Sequence, residues 1–172
     1  MMDDKRLYPL AILDDETQSR MKTYYALLTE RGYIGRQTKD IPYHFTLGDT
    51  DTANELSLLE QTEEICAETA PIPFRMDHVS LFGQSVLFLS PNLNIEMLEL
   101  QSRFFPGCGR GYNPWTAHAT ILLDESDIVL SSVPIITGKF ESFEAQIIAV
   151  AIYEFFPTRH IKTFNLRGTP NG

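Results

Sequence analysis

Pro42-Tyr43-His44-Phe45-Thr46-Leu47 alternates between two kinds of side chain. Successive residues of a β-strand point to opposite faces, so His44 and Thr46 share one face while Tyr43, Phe45 and Leu47 share the other. The second face is wholly apolar and suits burial against helices, which turns the imidazole and the hydroxyl the opposite way. Trp115-Thr116-Ala117-His118-Ala119-Thr120-Ile121-Leu122 repeats the arrangement. There His118 and Thr120 fall on one face, and Ala117, Ala119 and Ile121 on the other. A single His-x-Thr is an ordinary surface pair. Two copies, each excluded from an apolar face, single out His44, Thr46, His118 and Thr120.

Outward from the first motif, Leu7 to Leu13 reads as a strand that ends at Asp14-Asp15-Glu16-Thr17, an acidic cluster suited to a helix N-terminus. Helical spacing then runs from about Glu16 to Arg31, with Gly32 as the stop. After the motif strand, Asp49-Thr50-Asp51-Thr52 opens a second helical pattern through Leu56, Leu59, Ile65 and Cys66, which Pro71 and Pro73 end. Phe74 to Leu81 and Val86 to Leu89 read as a hairpin turning at Gly83-Gln84, and Leu93 to Phe104 as a third helix. The Gly-rich loop Gly107 to Pro114 leads into the second motif strand, read as Trp115 to Leu123. Three further strands are expected at Ile135 to Phe143, Ala145 to Phe155 and Ile161 to Leu166. The class is α+β with mostly antiparallel connections. Each half offers a helix, a His-x-Thr strand and an acidic turn, which suggests one domain, residues 1–172, made of two similar lobes.

Composition narrows the function. At 172 residues with 43% hydrophobic content the chain suits one compact domain, and no apolar run approaches the roughly 20 residues needed to cross a bilayer. The charged start, Met1-Met2-Asp3-Asp4-Lys5-Arg6, does not read as a signal peptide, so a cytoplasmic monomer without membrane contact is expected. A formal net charge of −9 speaks against coating long nucleic acid, because such affinity comes mainly from Lys and Arg. A small phosphorylated ligand needs only a local pocket. Cys66 and Cys108 show no zinc or redox spacing.

The two-residue spacing suits phosphate chemistry, since an imidazole and a hydroxyl on one face can reach two oxygens of one phosphate. Imidazole titrates near pH 6.5, so one histidine can act as base while the other, protonated, acts as acid. Each such role contributes roughly 10²–10⁴-fold. His118 is favoured as base and His44 as acid, but no sequence feature fixes the choice, which reverses with the ester formed; a bell-shaped pH profile with limbs on either side of neutrality is expected. The threonines would hold the phosphate. Arg110, among glycines upstream of the second motif, could swing onto a phosphate, and Phe82, Tyr112 and Trp115 could stack on a base. Arg159 with Lys162 is a candidate groove-edge basic pair, and Asp77-His78 a candidate paired base. No metal or cofactor is implied.

These motifs, with Leu81-Phe82-Gly83, Val86 to Leu89 and Ala145 to Tyr153, resemble the two-histidine (2H) phosphoesterase superfamily, which includes 2′-5′ RNA ligase-like proteins and cyclic nucleotide phosphodiesterases. The likeness covers nearly the whole chain. It implies a bilobal fold, two antiparallel β-sheets forming a concave groove with helices outside, and one His-x-Thr from each lobe on its floor. It also implies metal-independent action on a 2′,3′-cyclic phosphate or a 2′-5′ phosphodiester of a small nucleotide or RNA end. Two departures stand out: Ala117 where many relatives have Pro, and Leu122-Leu123-Asp124 where many carry a basic residue. A non-catalytic nucleotide- or RNA-end-binding module is the alternative, and a metal-dependent hydrolase using both histidines a third reading.

Overall fold

The computed structural model of the chain describes residues 5–105 and 114–170. Strand β1 (Arg6–Leu13) leads into helix α1 (Asp15–Thr29), whose N-terminus is capped by the Asp14 carboxylate accepting from the Thr17 N–H at 3.0 Å. Gly32, at φ +86°, ends it with the Tyr33 N–H bonded back to the Leu28 carbonyl, a left-handed cap that favours glycine. Then come β2 (His44–Thr46), the short β3 (Thr50–Asp51), a single 3₁₀ turn and α2 (Glu55–Glu68). The expected hairpin forms from β4 (Ile72–Phe82) and β5 (Val86–Asn92), turning at Gly83 with φ +51°. Helix α3 (Ile95–Phe104), β6 (Ala119–Leu123), α4 (Ser126–Thr137), β7 (Phe143–Glu154) and β8 (Arg159–Asn165) complete the order.

Two expectations are corrected. The second motif strand begins at Ala119, so His118 stands just outside it. The strand expected over Ile135 to Phe143 does not form: its first three residues end α4, a helix that carries Pro134 and many β-branched residues, and Phe143 opens β7. The α4 sequence favours strand by propensity, but Val129, Ser132 and Ile136 fall on one helical face and are buried there. Packing overrides propensity.

All pairings are antiparallel, in the path β2-β1-β7-β4-β5-β6, with β3 beside β1 and β8 beside β7. The two expected sheets are continuous, because Ile72–Met76 of β4 pairs with Phe143–Ile147 of β7 before the two strands diverge to different partners. The same unit occurs twice: strand, helix, His-x-Thr strand, acidic turn, helix, as β1-α1-β2-α2 and β5-α3-β6-α4. In both, the His-x-Thr strand pairs with the strand that opens its unit and lies at an end of the path.

One face of the sheet is covered by helices. Met21 and Leu28 of α1, Ile65 of α2, Met97 of α3 and Val129 of α4 share one apolar core with Phe45, Leu47, Ala117, Ala119 and Ile121. A second, smaller cluster on the other face contains no helical residue. The alternation in both motifs is therefore enforced by burial: Phe45 and Ala119 are fully buried, and the histidines and threonines turn to the open face. Phe45 packs its ring 5.3 Å from that of Phe74. Truncating it in Phe45→Ala should lower unfolding free energy by about 3–5 kcal/mol. Chemical denaturation measures this, and a loss below about 1 kcal/mol would contradict the packing described.

Candidate active site

His44 and His118 are held by the same device. The Nδ1 of His44 lies 2.8 Å from the Pro42 carbonyl, and the Nδ1 of His118 lies 2.8 Å from the Thr116 carbonyl. A carbonyl can only accept, so each Nδ1 carries the proton and each Nε2 presents its lone pair. In each case the anchoring carbonyl is two residues earlier, which fixes ring orientation by local backbone geometry. Neither Nε2 and neither threonine hydroxyl has a hydrogen-bond partner among the described residues.

The two motifs begin at opposite ends of a six-strand path, which laid flat would separate them by about 24 Å. Side chains close that distance. The Trp115 indole N–H donates to the Thr46 carbonyl at 2.9 Å, joining the approach to the second motif to the heart of the first. The Gln101 amide of α3 donates to the Leu47 carbonyl at 3.3 Å. The loop after α1 docks on the outer edge of β6, where the Arg36 N–H meets the Leu123 carbonyl at 2.7 Å and the Leu123 N–H meets Gln37 Oε1 at 3.1 Å. Gly35, with φ +76°, sits there with no room for a side chain: a Cβ would lie 2.6 Å from Leu122 Cδ1. On the other side of β2, the Gln18 amide bonds both the Tyr43 N–H and its carbonyl, at 2.7 and 2.8 Å, and so acts as a strand partner next to His44.

The second histidine is boxed by aromatic rings. Phe82 stands edge-on to the His118 imidazole at 4.7 Å and Phe88 at 5.4 Å. Phe82 remains 37% exposed, so one side of it is open to a ligand. Trp115 is half-buried against the core, and its polar end is committed to Thr46. Arg110 and Tyr112 lie outside the described residues. The proposed Arg159–Lys162 pair does not form a basic groove edge. Arg159 is tied to Glu55 at 2.7 Å and to Glu154, while Lys162 lies over the Phe164 ring on the helix-covered face. Asp77 is engaged by Arg75 and Asn92, and His78 by Asn92. Gln18, Gln101 and Phe88 had not been singled out. Only Phe88 carried a readable signal, since alternation sets it on the face opposite Leu87 and Leu89, where it is buried beneath Phe82 and His118.

Burial pushes the His44 imidazole down to about 4, with the nearby His118 adding to the effect and the Pro42 carbonyl opposing it. Burial also lowers His118, opposed by the Thr116 carbonyl. Both rings are neutral at pH 7, and an anion placed between them would raise both. Among the described residues no three His, Cys, Asp or Glu side chains gather as metal ligands, and no helix is long and apolar enough to cross a membrane. Cavities of about 250 Å³ beside Cys66 and about 520 Å³ beside Leu100 open on the helix-covered side, away from the histidines.

A family model described as the 2′-5′ RNA ligase superfamily matches residues 16–155. No curated protein sequence matches the chain. Among solved structures, E. coli LigT complexed with ATP is 18% identical, with a TM-score of 0.64 over 94% of this chain and 97% of LigT. The LigT complex with 3′-AMP gives 17% and 0.62 over 94% and 98%, and TT0787 of Thermus thermophilus gives 14% and 0.58 over 95% and 98%. At these identities the structural likeness shows the fold.

The depressed histidines make a direct prediction. In an NMR titration the His44 midpoint should lie near 4 and that of His118 below the ordinary 6.5, and inorganic phosphate should move both upward. An unfolded imidazole binds its proton first, so stability present above pH 6.5 is progressively lost as pH falls toward 4. A His44 midpoint at or above 6.5 would contradict the burial described.

Proposed function

The chain belongs to the 2′-5′ RNA ligase superfamily, and on that premise we propose that it is a metal-independent phosphodiesterase acting on a 2′,3′-cyclic phosphate or 2′-5′ phosphodiester of a small nucleotide or RNA end. The observation that carries the reading is the matched pair of imidazoles, each with Nδ1 held by a backbone carbonyl and Nε2 presented on the open face beside a threonine hydroxyl. Solved structures of LigT hold 3′-AMP, ATP, NADP+ and phosphate, which supports a nucleotide phosphate as the ligand class here.

For a cyclic phosphate, water attacks phosphorus, a P–O bond to water forms and the P–O bond to one ribose oxygen breaks. One Nε2 takes the water proton, and the other Nε2 gives its proton to the departing ribose oxygen. Thr46 and Thr120 donate hydrogen bonds to the non-bridging oxygens, where negative charge builds. The electrostatics favour the reverse of the roles assigned from sequence. His44, the more strongly depressed, stays neutral and acts as base, while His118 takes the proton and acts as acid. The bound phosphate supplies the missing electrostatic partner, because its negative charge favours the imidazolium.

Turnover of 2′,3′-cyclic AMP should fall by at least about 100-fold in His44→Ala and in His118→Ala, and should survive chelator. Either variant retaining wild-type turnover would remove the proposal. Wild-type binding without turnover across cyclic and 2′-5′ substrates would select the binding-module reading. Because kcat/KM reports the free enzyme, its optimum should lie on the acid side, between about 4 and 6.5, in place of the limbs around neutrality that unperturbed histidines would give. The alkaline limb of kcat, set with substrate bound, should lie at higher pH than that of kcat/KM.

A further inference from the structure

The open face carries a second aromatic group that the two-histidine chemistry does not use. Leu10 lies opposite Thr46 on one side and Ala151 on the other, so these side chains share the face of the first motif. One pleat farther along, about 7 Å by strand geometry, Tyr8 lies opposite Tyr153, and Tyr153 opposite His160. Phe155 packs against Tyr8 edge-on at 5.4 Å and stacks over Tyr153 at 6.0 Å, while His160 meets Tyr153 at 5.0 Å. Phe156 leans on Phe155 at 6.1 Å and is 69% exposed. Its backbone is left-handed, at φ +57°, a conformation that bulky side chains rarely adopt. A phenyl ring held in water by a disfavoured backbone contributes little to stability, which points to a ligand.

Three further features say which ligand. Among the described residues no helical side chain joins the cluster on this face, and between the aromatic group and Thr46 lie only Leu10 and Ala151, both buried beneath their neighbours. The neighbouring cations are already neutralised, Arg159 by Glu55 and Glu154 and Lys5 by Glu154, so the patch suits an uncharged flat group better than a phosphate. Phe82, backed by the buried Phe88, stands partly exposed beside His118 at the other motif. A phosphate held between the motifs would thus have aromatic surface on both sides.

We propose that Tyr8, Phe155 and Phe156 form a second base-stacking subsite, so that the preferred ligand is a phosphodiester with a nucleoside on each side of its phosphate. A cyclic mononucleotide would fill only one side. This rests on the phosphodiesterase reading for the position of the phosphate. A base stacked on an aromatic side chain is sequence-tolerant, since every base has a π-face. The subsite therefore selects ligand length over base identity.

The test compares adenylyl-(2′→5′)-adenosine with 2′,3′-cyclic AMP, for both binding and turnover, in the wild-type chain, Phe156→Ala and Tyr8→Leu. Phe156 is exposed, so its variant reports on the ligand even if Tyr8→Leu folds poorly. Each variant should weaken dinucleotide binding and raise its KM about tenfold, with little change in kcat or in either constant for the cyclic mononucleotide. Unchanged dinucleotide binding in Phe156→Ala, or an equal loss for both ligands, would overturn the subsite. Dinucleotide binding that depends on Phe156 without any turnover would overturn the phosphodiesterase reading and leave the subsite standing.

Discussion

Burial of Phe45 and Leu47 on one end strand, and of Ala117, Ala119 and Ile121 at the other, is the constraint on which the open face depends. Strand side chains alternate, so once these residues are committed to the helix-covered core, His44, Thr46, His118 and Thr120 have nowhere to go but the opposite side. A slip of one residue in either register would bury an imidazole and expose a phenylalanine or an alanine. The hydrophobic core thus fixes polar groups that it never touches, and it does so twice through the same strand-helix-strand-helix unit.

The ends of the sheet meet through side chains, where a barrel would use strand pairing. Trp115 on the Thr46 carbonyl, Gln101 on the Leu47 carbonyl and the Arg36-Gln37 backbone and amide on Leu123 satisfy edge groups that would otherwise be free for another strand. Individual hydrogen bonds hold the edges at a useful separation and leave the open face accessible. Gln18 plays the complementary part on the near side, pinning the Tyr43 peptide group so that the His44 ring is aimed by both its own carbonyl anchor and a fixed strand entry.

The charge pattern fits a site that waits for an anion. Arg6, Arg36, Arg75, Arg103 and Arg159 are each paired with a carboxylate, so these cations are spent on the chain's own acids. Burial keeps both imidazoles neutral, and the proposed acid becomes charged when a phosphate arrives. On the proposed mechanism, attraction would then be coupled to protonation at the place where the proton is needed. In the proposed subsites, aromatic surface would supply affinity that charge does not.

The sequence by itself determined the face that His44, Thr46, His118 and Thr120 occupy, because alternation with period two is a local property and the apolar partners Phe45, Leu47, Ala119 and Ile121 are written beside them. It also determined α1, from its acidic start at Asp14 to Thr17 to its Gly32 stop, and the hairpin turning at Gly83, for the same reason: helix ends and tight turns are set by a few adjacent residues. It misjudged α4, where β-branched Ile and Val favour strand, Pro134 disfavours a helix interior, and packing of Val129, Ser132 and Ile136 makes a helix nonetheless. Tertiary structure alone decided that Trp115 would join the two ends of the sheet, that Gln18 would serve as a strand partner, that Arg159 would be spent on Glu55, and that Tyr8 and Phe155 would meet beside Thr46. Each of these pairs residues far apart in the chain. Their meeting is fixed by strand order and sheet curvature, which no local pattern encodes.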